Sequence, residues 1–232
     1  MNMNNDSLGD RMKAYEDIYR IKLMKRVPLI IRIDGKAFHT FLKNAKKPFD
    51  PSVTNAMVQA AEQVIHEIGG TARFAYTQSD ECSIVINNAL DLTTSAWFDN
   101  NLQKMVSVAA SIFTTAFNVI YYIGSDAVFD ARAFVLPDIN EMCNYFIWRQ
   151  QDATRNSIRM HASQMFSHKA LDGISNSIVQ GMMFKKEGFN WDSAPTHHKR
   201  GTIVVRNKAD YDIPIFTQDR DYLEKLYLPT PE

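Results

Sequence analysis

The first strongly patterned stretch is Val27-Pro28-Leu29-Ile30-Ile31-Arg32-Ile33, in which Leu29, Ile31 and Ile33 alternate with Ile30 and Arg32. A mostly apolar run of this length predicts a strand covered on both faces. Next, Asp50-Pro51 offers an N-cap followed by proline at the first helical position. Val53, Met57, Ala60, Val64 and Ile68 then recur at helical spacing until Gly69-Gly70, which predicts a helix with a defined start and stop. Residues 72–77 and 82–87 flank the short turn Gln78-Ser79-Asp80-Glu81 and predict a β-hairpin. A second helix is expected over roughly 94–120, and alternation over Val128–Val135 predicts a fourth strand ending at Pro137. Residues 138–187 read as mainly helical with a break at Asp172-Gly173, and Gly201–Arg206 as a late strand.

Through residue 136 the order is β-α-β-β-α-β, an α+β, ferredoxin-like arrangement. The expected organisation is a palm-like catalytic region over residues 1–136. A helical, basic C-terminal extension over 137–232 packs with it as one unit. The same topology builds the palm of many polymerases and nucleotidyl cyclases, although fold alone does not fix function.

Charge sharpens this picture. The 232 residues are formally neutral, yet the charge is in blocks. Residues 1–50 carry 11 Lys and Arg against 6 Asp and Glu, 51–148 carry 3 against 10, 149–206 carry 9 against 4, and 207–232 carry 3 against 6. An acidic middle between basic flanks suits a central metal surrounded by a polyanion, and equally suits ordinary solvated surface. No apolar run approaches the length of a membrane span, and Met1–Asp6 lack a signal-peptide layout, so no membrane association and a cytoplasmic location are expected. Cys82 and Cys143 stand in no CxxC or Cys/His cluster and read as reduced and structural.

The candidate chemistry is a pair of acids at strand ends, Asp34 before Gly35 and Asp80 in the hairpin turn. Mg²⁺ takes hard oxygen ligands and is held by one or two carboxylates plus substrate phosphates. An Asp/Asp pair with an exposed Gly35 carbonyl is therefore enough for two ions on a nucleoside triphosphate. Either acid alone is also a common turn former, whereas two close acids without a cation would raise each other's pKa. Glu81 reads as a hairpin charge in preference to a further ligand. Gly35-Lys36-Ala37-Phe38-His39 offers successive backbone N–H groups to a triphosphate; Lys36 makes no P-loop, Phe38 also reads as core, and His39 is a phosphate donor or a structural residue. Arg132 and Arg149 offer phosphate recognition or internal ion pairs with Asp130 or Asp152, and Arg155, Asn156 and Arg159 lie just beyond. Thr196-His197-His198-Lys199-Arg200-Gly201 reads as an RNA-contacting basic loop or a solvated turn.

Taken in order, Ile31–His39, Lys47-Pro48, Gln78–Glu81, Phe129–Arg132, Trp148-Arg149-Gln150-Gln151-Asp152 and Lys199–Gly201 resemble the successive motifs of the tRNA guanylyltransferase superfamily over about residues 8–206. These enzymes add nucleotides 3′-to-5′ at the 5′ end of tRNA, through a 5′ end adenylylated by ATP. The resemblance implies that Asp34, the Gly35 carbonyl and Asp80 hold two Mg²⁺ ions and that residues 34–39 with Ser79-Asp80 contact a nucleotide, ATP or GTP. It also implies that His39, Lys47, Ser79 and Lys104 contact a second triphosphate, and that the partners are tRNA, nucleoside triphosphates and further copies in a homotetramer. Enzymes dedicated to histidine tRNA carry a Cys-His-Ile-Asn-Asn-like stretch after the Trp-Arg-Gln-x-Asp motif, where this chain has Ala153-Thr154-Arg155-Asn156-Ser157. The resemblance is thus to the branch that repairs 5′-truncated tRNA by template pairing. The alternatives are addition of the extra 5′ G to histidine tRNA, a palm-type nucleotidyl cyclase, and a non-catalytic RNA-binding module.

Overall fold

A computed structural model describes residues 7–90 and 93–228. After the surface helix α1 (Ser7–Asp17) come strand β1 (Pro28–Gly35), the short α2 (Phe38–Phe41) and α3 (Pro51–Ile68). The hairpin β2 (Ala72–Gln78) and β3 (Glu81–Asn87), then α4 (Leu102–Ile120) and β4 (Phe129–Val135), complete the expected order. Beyond them lie α5 (Ile139–Ala162), α6 (His168–Leu171), α7 (Asn176–Glu187), α8 (Thr196–Arg200), β5 (Thr202–Val205), β6 (Lys208–Asp210) and α9 (Arg220–Tyr227). The strands form one six-stranded antiparallel sheet in the order β4-β1-β3-β2-β5-β6.

Local chemistry explains the boundaries. The Asp50 carboxylate accepts the Ser52 amide at the start of α3, which satisfies one of the helix's orphan donors, and all five expected apolar positions of α3 are buried. The helix expected from about 94 starts at Leu102, where Asn101 caps it through the Lys104 amide; residues 91 and 92 lie outside the described residues. The expected break at Asp172-Gly173 is real, with Gly173 at φ 68°, and an earlier break separates α5 from α6.

Alternation sorts the core into two layers. Leu29, Ile31, Ile33, Cys82, Ile84 and Ile86 face α3 and α4, while Ile30, Phe74, Tyr76 and Val85 face α5 and α9. Both sheet faces are therefore covered, which is why β1 is apolar at consecutive positions. A third cluster joins the end of α5 to α6, α7 and Trp191. Both cysteines are fully buried, and burial pushes the Cys143 thiol up to about 11.

Candidate active site

The covering of β1 changes where polar residues begin. Arg32 and Asp34 occupy the face that looks towards α5, opposite Ile31 and Ile33. In the sheet Asp34 pairs with Glu81 on one side and with Asp130 on the other. The Gly35 amide donates to the Asp80 carbonyl (3.1 Å), tying the end of β1 to the hairpin turn that carries the second acid. Glycine is required there, since a Cβ would stand 2.2 Å from the Phe38 ring. Burial, with Asp34's charge adding to it, outweighs hydrogen bonds from the Ser79 side chain and the Asp80 amide and raises the Asp80 carboxyl above its usual range. Two hard carboxylates, one of them destabilised by burial and by its neighbour's charge, form a donor set that a divalent cation fits. Among the described residues no group of three or more His, Cys, Asp or Glu gathers for a metal, so the ion's remaining positions would fall to carbonyls, water and substrate phosphates.

Glu81 is not a solvated hairpin charge. It is buried and receives two Arg149 bonds of 2.8 Å each, while the Arg32 guanidinium lies 2.8 Å from both Glu81 and Asp34. Arg149 also donates to Asp152 (2.8 Å), and Asp152 accepts from Arg155 (2.9 Å). This corrects the RNA-binding expectation for Arg149, which is 4% exposed with its guanidinium committed to two carboxylates. Lys199 is corrected likewise: its ammonium is buried against the Asp192 carbonyl and the Trp191 ring. The basic loop is the short helix α8, and the Arg200 carbonyl accepts the Tyr76 hydroxyl (2.6 Å) while its guanidinium approaches the Ile213 carbonyl.

Around Asp80 a cleft is lined by Phe38, His39, Lys47, Ser79, Met160 and Gln164. His39, Lys47, Ser79 and Asp80 therefore share one concavity. The expected cradle is partly spoken for, because the Lys36 amide donates to the Val128 carbonyl (2.8 Å). Lys36 and Ala37 are exposed, Ala37 at φ 53°, and Phe38 is core, packed on Phe117 and Phe129. Behind the cleft lies a pocket floored by Val53, Met57, Phe49 and His198, where the Phe49 and His198 rings stack at 4.3 Å. Lys104 is not at this site within one chain. Phe117 touches Phe38, and Lys104 lies 13 residues earlier on the same helix, about 20 Å away at 1.5 Å per residue. Arg132, Arg155 and Asn156 are exposed, and Arg159 is spent on the Leu171 and Ile174 carbonyls.

Sequence reasoning missed the buried role of Glu81 and the partners Ser83 and Tyr145, whose hydroxyls lie 2.8 Å apart beside it. The available signals were the spacings Arg32-x-Asp34 and Arg149-x-x-Asp152, each placing an arginine beside an acid on one element face.

Asp34 at the end of β1, tied through Gly35 to Asp80 in a cleft that also takes in His39 and Lys47, makes this a candidate site for nucleotidyl transfer. Residues 9–137 match the family described as tRNAHis guanylyltransferase (Thg1). The tRNA(His) guanylyltransferase of Schizosaccharomyces pombe is 30% identical over 219 residues, covering 87% of this chain and 81% of that protein. A bacterial tRNA(His) guanylyltransferase (Thg1)-like protein in complex with ATP superposes with a TM-score of 0.91 at 44% identity, covering 95% of this chain and 99% of that one. A bacterial Thg1-like protein in complex with GTP does so with a TM-score of 0.78 at 41% identity, covering 96% and 99%. The chain belongs to the tRNAHis guanylyltransferase family, whose members are nucleotidyltransferases.

Proposed function

We propose that this protein is a cytoplasmic 3′-to-5′ nucleotidyltransferase that adds nucleotides to the 5′ end of tRNA, and that its physiological task is template-dependent repair of 5′-truncated tRNA. The observation that carries the transfer reading is the backbone hydrogen bond from Gly35 to Asp80, which ties the strand end bearing Asp34 to the acid that lines the cleft. Solved relatives in complex with ATP and with GTP support nucleotide substrates. The element order and the strand order β4-β1-β3-β2 support a ferredoxin-like palm as its frame.

In this reading His39, Lys47 and Ser79 bind and orient the triphosphate. Asp34, the Gly35 carbonyl and Asp80 would hold two Mg²⁺ ions, which would stabilise the charge developing on the phosphoryl and leaving-group oxygens. The pocket behind the cleft, with its stacked Phe49 and His198, gives a base an apolar wall. The tRNA 5′-phosphate is first joined to AMP from ATP with release of pyrophosphate, and the 3′-hydroxyl of an incoming nucleotide then displaces AMP. Arg132, Arg155 and Asn156 are free of deep burial and are the residues offered to the RNA backbone. The residues that replace the histidine-bearing stretch support the repair branch: Ala153 and Ser157 face inward, Ser157 accepting from the Trp191 indole, while Arg155 and Asn156 face out. Addition of the extra 5′ G to histidine tRNA is the second reading, favoured by the names of the curated relatives.

A homotetramer is proposed as the working assembly. Helix α1 buries none of its residues and, with the segment after it, leaves Leu8, Met12, Tyr15, Ile18 and Tyr19 exposed, an apolar face that a second copy would cover.

The test is extension of a 5′-monophosphorylated tRNA lacking its first nucleotide, given ATP, Mg²⁺ and nucleoside triphosphates. Asp34→Ala and Asp80→Ala are each expected to abolish extension without lowering the melting temperature. Near-normal turnover in either variant contradicts the assignment, and conversion of labelled triphosphate without RNA would favour a cyclase instead.

A further inference from the structure

Trp148 carries no role in the reading above, yet it is the one tryptophan of the chain classed as exposed, at 48%. It is not loose. The Arg149 guanidinium sits 4.2 Å from its ring centroid, and that guanidinium is itself held by Glu81 and Asp152. The Tyr145 ring meets Trp148 edge-on at 5.9 Å, and Tyr145 is tied to Ser83 on the sheet. One side of the indole is thus backed by a fixed cation, which is favourable in its own right, and about half of the residue remains open to solvent.

Its surroundings share the face of the sheet that carries Asp34. In β4, Asp130 pairs with Asp34 and Arg132 with Arg32, while Phe134 on the same face packs against Tyr145 at 5.5 Å. The exposed Arg132 stands on β4, the strand that pairs with Asp34's strand, and the exposed Arg155 on α5 seven residues, about two helical turns, beyond Trp148. The triphosphate cleft lies further along the same helix: Met160, which lines it, is 12 residues beyond Trp148, about 18 Å along the axis. Transfer needs two reactants; Asp80 lines the cleft, while Asp34 is linked through Arg32 and Glu81 to the Arg149 guanidinium that backs Trp148.

We propose that Trp148 is a stacking platform for the terminal nucleobase of the RNA's acceptor end, with Arg132 and Arg155 on its phosphates, so that the 5′ end is presented to the acids from the side opposite the triphosphate. An isolated ring with arginines beside it is the chemistry of nucleic-acid ends, since every base has a π-face and every phosphate a charge. It is unlike the broad apolar patch of a protein contact. The proposal rests on the tRNA reading of the site, and it makes Trp148 a binding residue for the second substrate.

The test measures KM for truncated tRNA and KM for nucleoside triphosphate in the wild type, Trp148→Ala and Trp148→Phe, together with melting temperatures and tryptophan fluorescence during titration with 5′-monophosphorylated tRNA or with ATP alone. Trp148→Ala is expected to raise KM for tRNA on the order of tenfold, the scale of one lost base stack, with KM for triphosphate within twofold. Trp148→Phe should recover most of that loss. Fluorescence should be quenched by tRNA in the wild type and much less in either variant. An unchanged KM for tRNA in Trp148→Ala overturns the platform, as does a Phe variant as impaired as the Ala variant. Equal Trp148-dependent quenching by ATP alone overturns it too, assigning the ring to a free nucleotide. A wild type that extends no tRNA at all fails the transfer reading itself, and is distinguishable from these outcomes.

Discussion

Glu81 shows what one buried carboxylate organises. It neutralises Arg149 and holds Arg32, which in turn reaches Asp34. Removing one partner of a buried ion pair leaves an uncompensated charge and costs about 3–5 kcal/mol, so Glu81→Gln and Arg149→Ala should each lower stability by that amount in chemical denaturation. In contrast, Arg132→Ala and Arg155→Ala should leave stability within about 0.5 kcal/mol and reduce the log–log salt slope of tRNA binding by roughly one each. A salt slope changed by Arg149→Ala with stability untouched would return that residue to the RNA surface. Asp80 supplies a pH test. Its folded carboxyl titrates above the unfolded one, so its charge opposes folding above the folded pKa, and that cost is relieved as pH falls through it. Without Mg²⁺, Asp80→Asn should therefore melt above the wild type at pH 7, with the gap closing as pH drops towards the ordinary carboxylate range. A variant less stable than the wild type at pH 7 would contradict this.

At the level of elements, helix α8 and strand β5 close the site from the C-terminal half. Gly201 joins them at φ +81°, and a Cβ there would stand 2.6 Å from the Thr77 carbonyl oxygen. Gly201→Ala should cost roughly 1–3 kcal/mol, the range for strained backbone, and a neutral result by thermal melting would show that the junction can relax. On α8, burial first, then the neighbouring His197 and His161, push His198 down to about 4. A histidine depressed in the fold contributes stability that is present above its unfolded pKa of about 6.5 and is lost as pH falls towards the folded value. Melting temperature should therefore decline between pH 6.5 and 4, and His198→Phe should flatten that decline.

The elements through β4 were legible because β1 and β3 are short, mostly apolar runs bounded by turn residues, β4 alternates, and α3 repeats its apolar positions at helical spacing. The late strand at Thr202–Val205 was legible too, but not its place beside β2, since periodicity carries no pairing information. Helix α9 was missed because its short apolar stripe, Leu223 and Tyr227, sits among charges.

Across the whole molecule, motif order put His39, Lys47, Ser79 and Asp80 forward together, and the fold lines one cleft with them, whereas the fates of Arg149 and Lys199 were not readable. A basic residue's sign is in the sequence, but its partner is set by α5 and α8 folding over the sheet. The proposed assembly is tested by mass: light scattering should give about four times the 26.6 kDa chain, and Met12→Asp on the exposed face of α1 should lower that mass. A monomeric wild type would remove the copy-to-copy account of that face.

The most direct test of the central claim uses a set of 5′-truncated, 5′-monophosphorylated tRNAs in which the unpaired base on the 3′ side is varied in turn, with ATP, Mg²⁺ and all four nucleoside triphosphates. Pairing fixes where the attacking 3′-hydroxyl sits, and misplacing a reacting group by about 1 Å costs on the order of a hundredfold in rate. The nucleotide added should be the Watson–Crick partner of each opposing base, and addition should stop once the acceptor stem is fully paired. Addition of G whatever the opposing base, and only to histidine tRNA, would contradict the account.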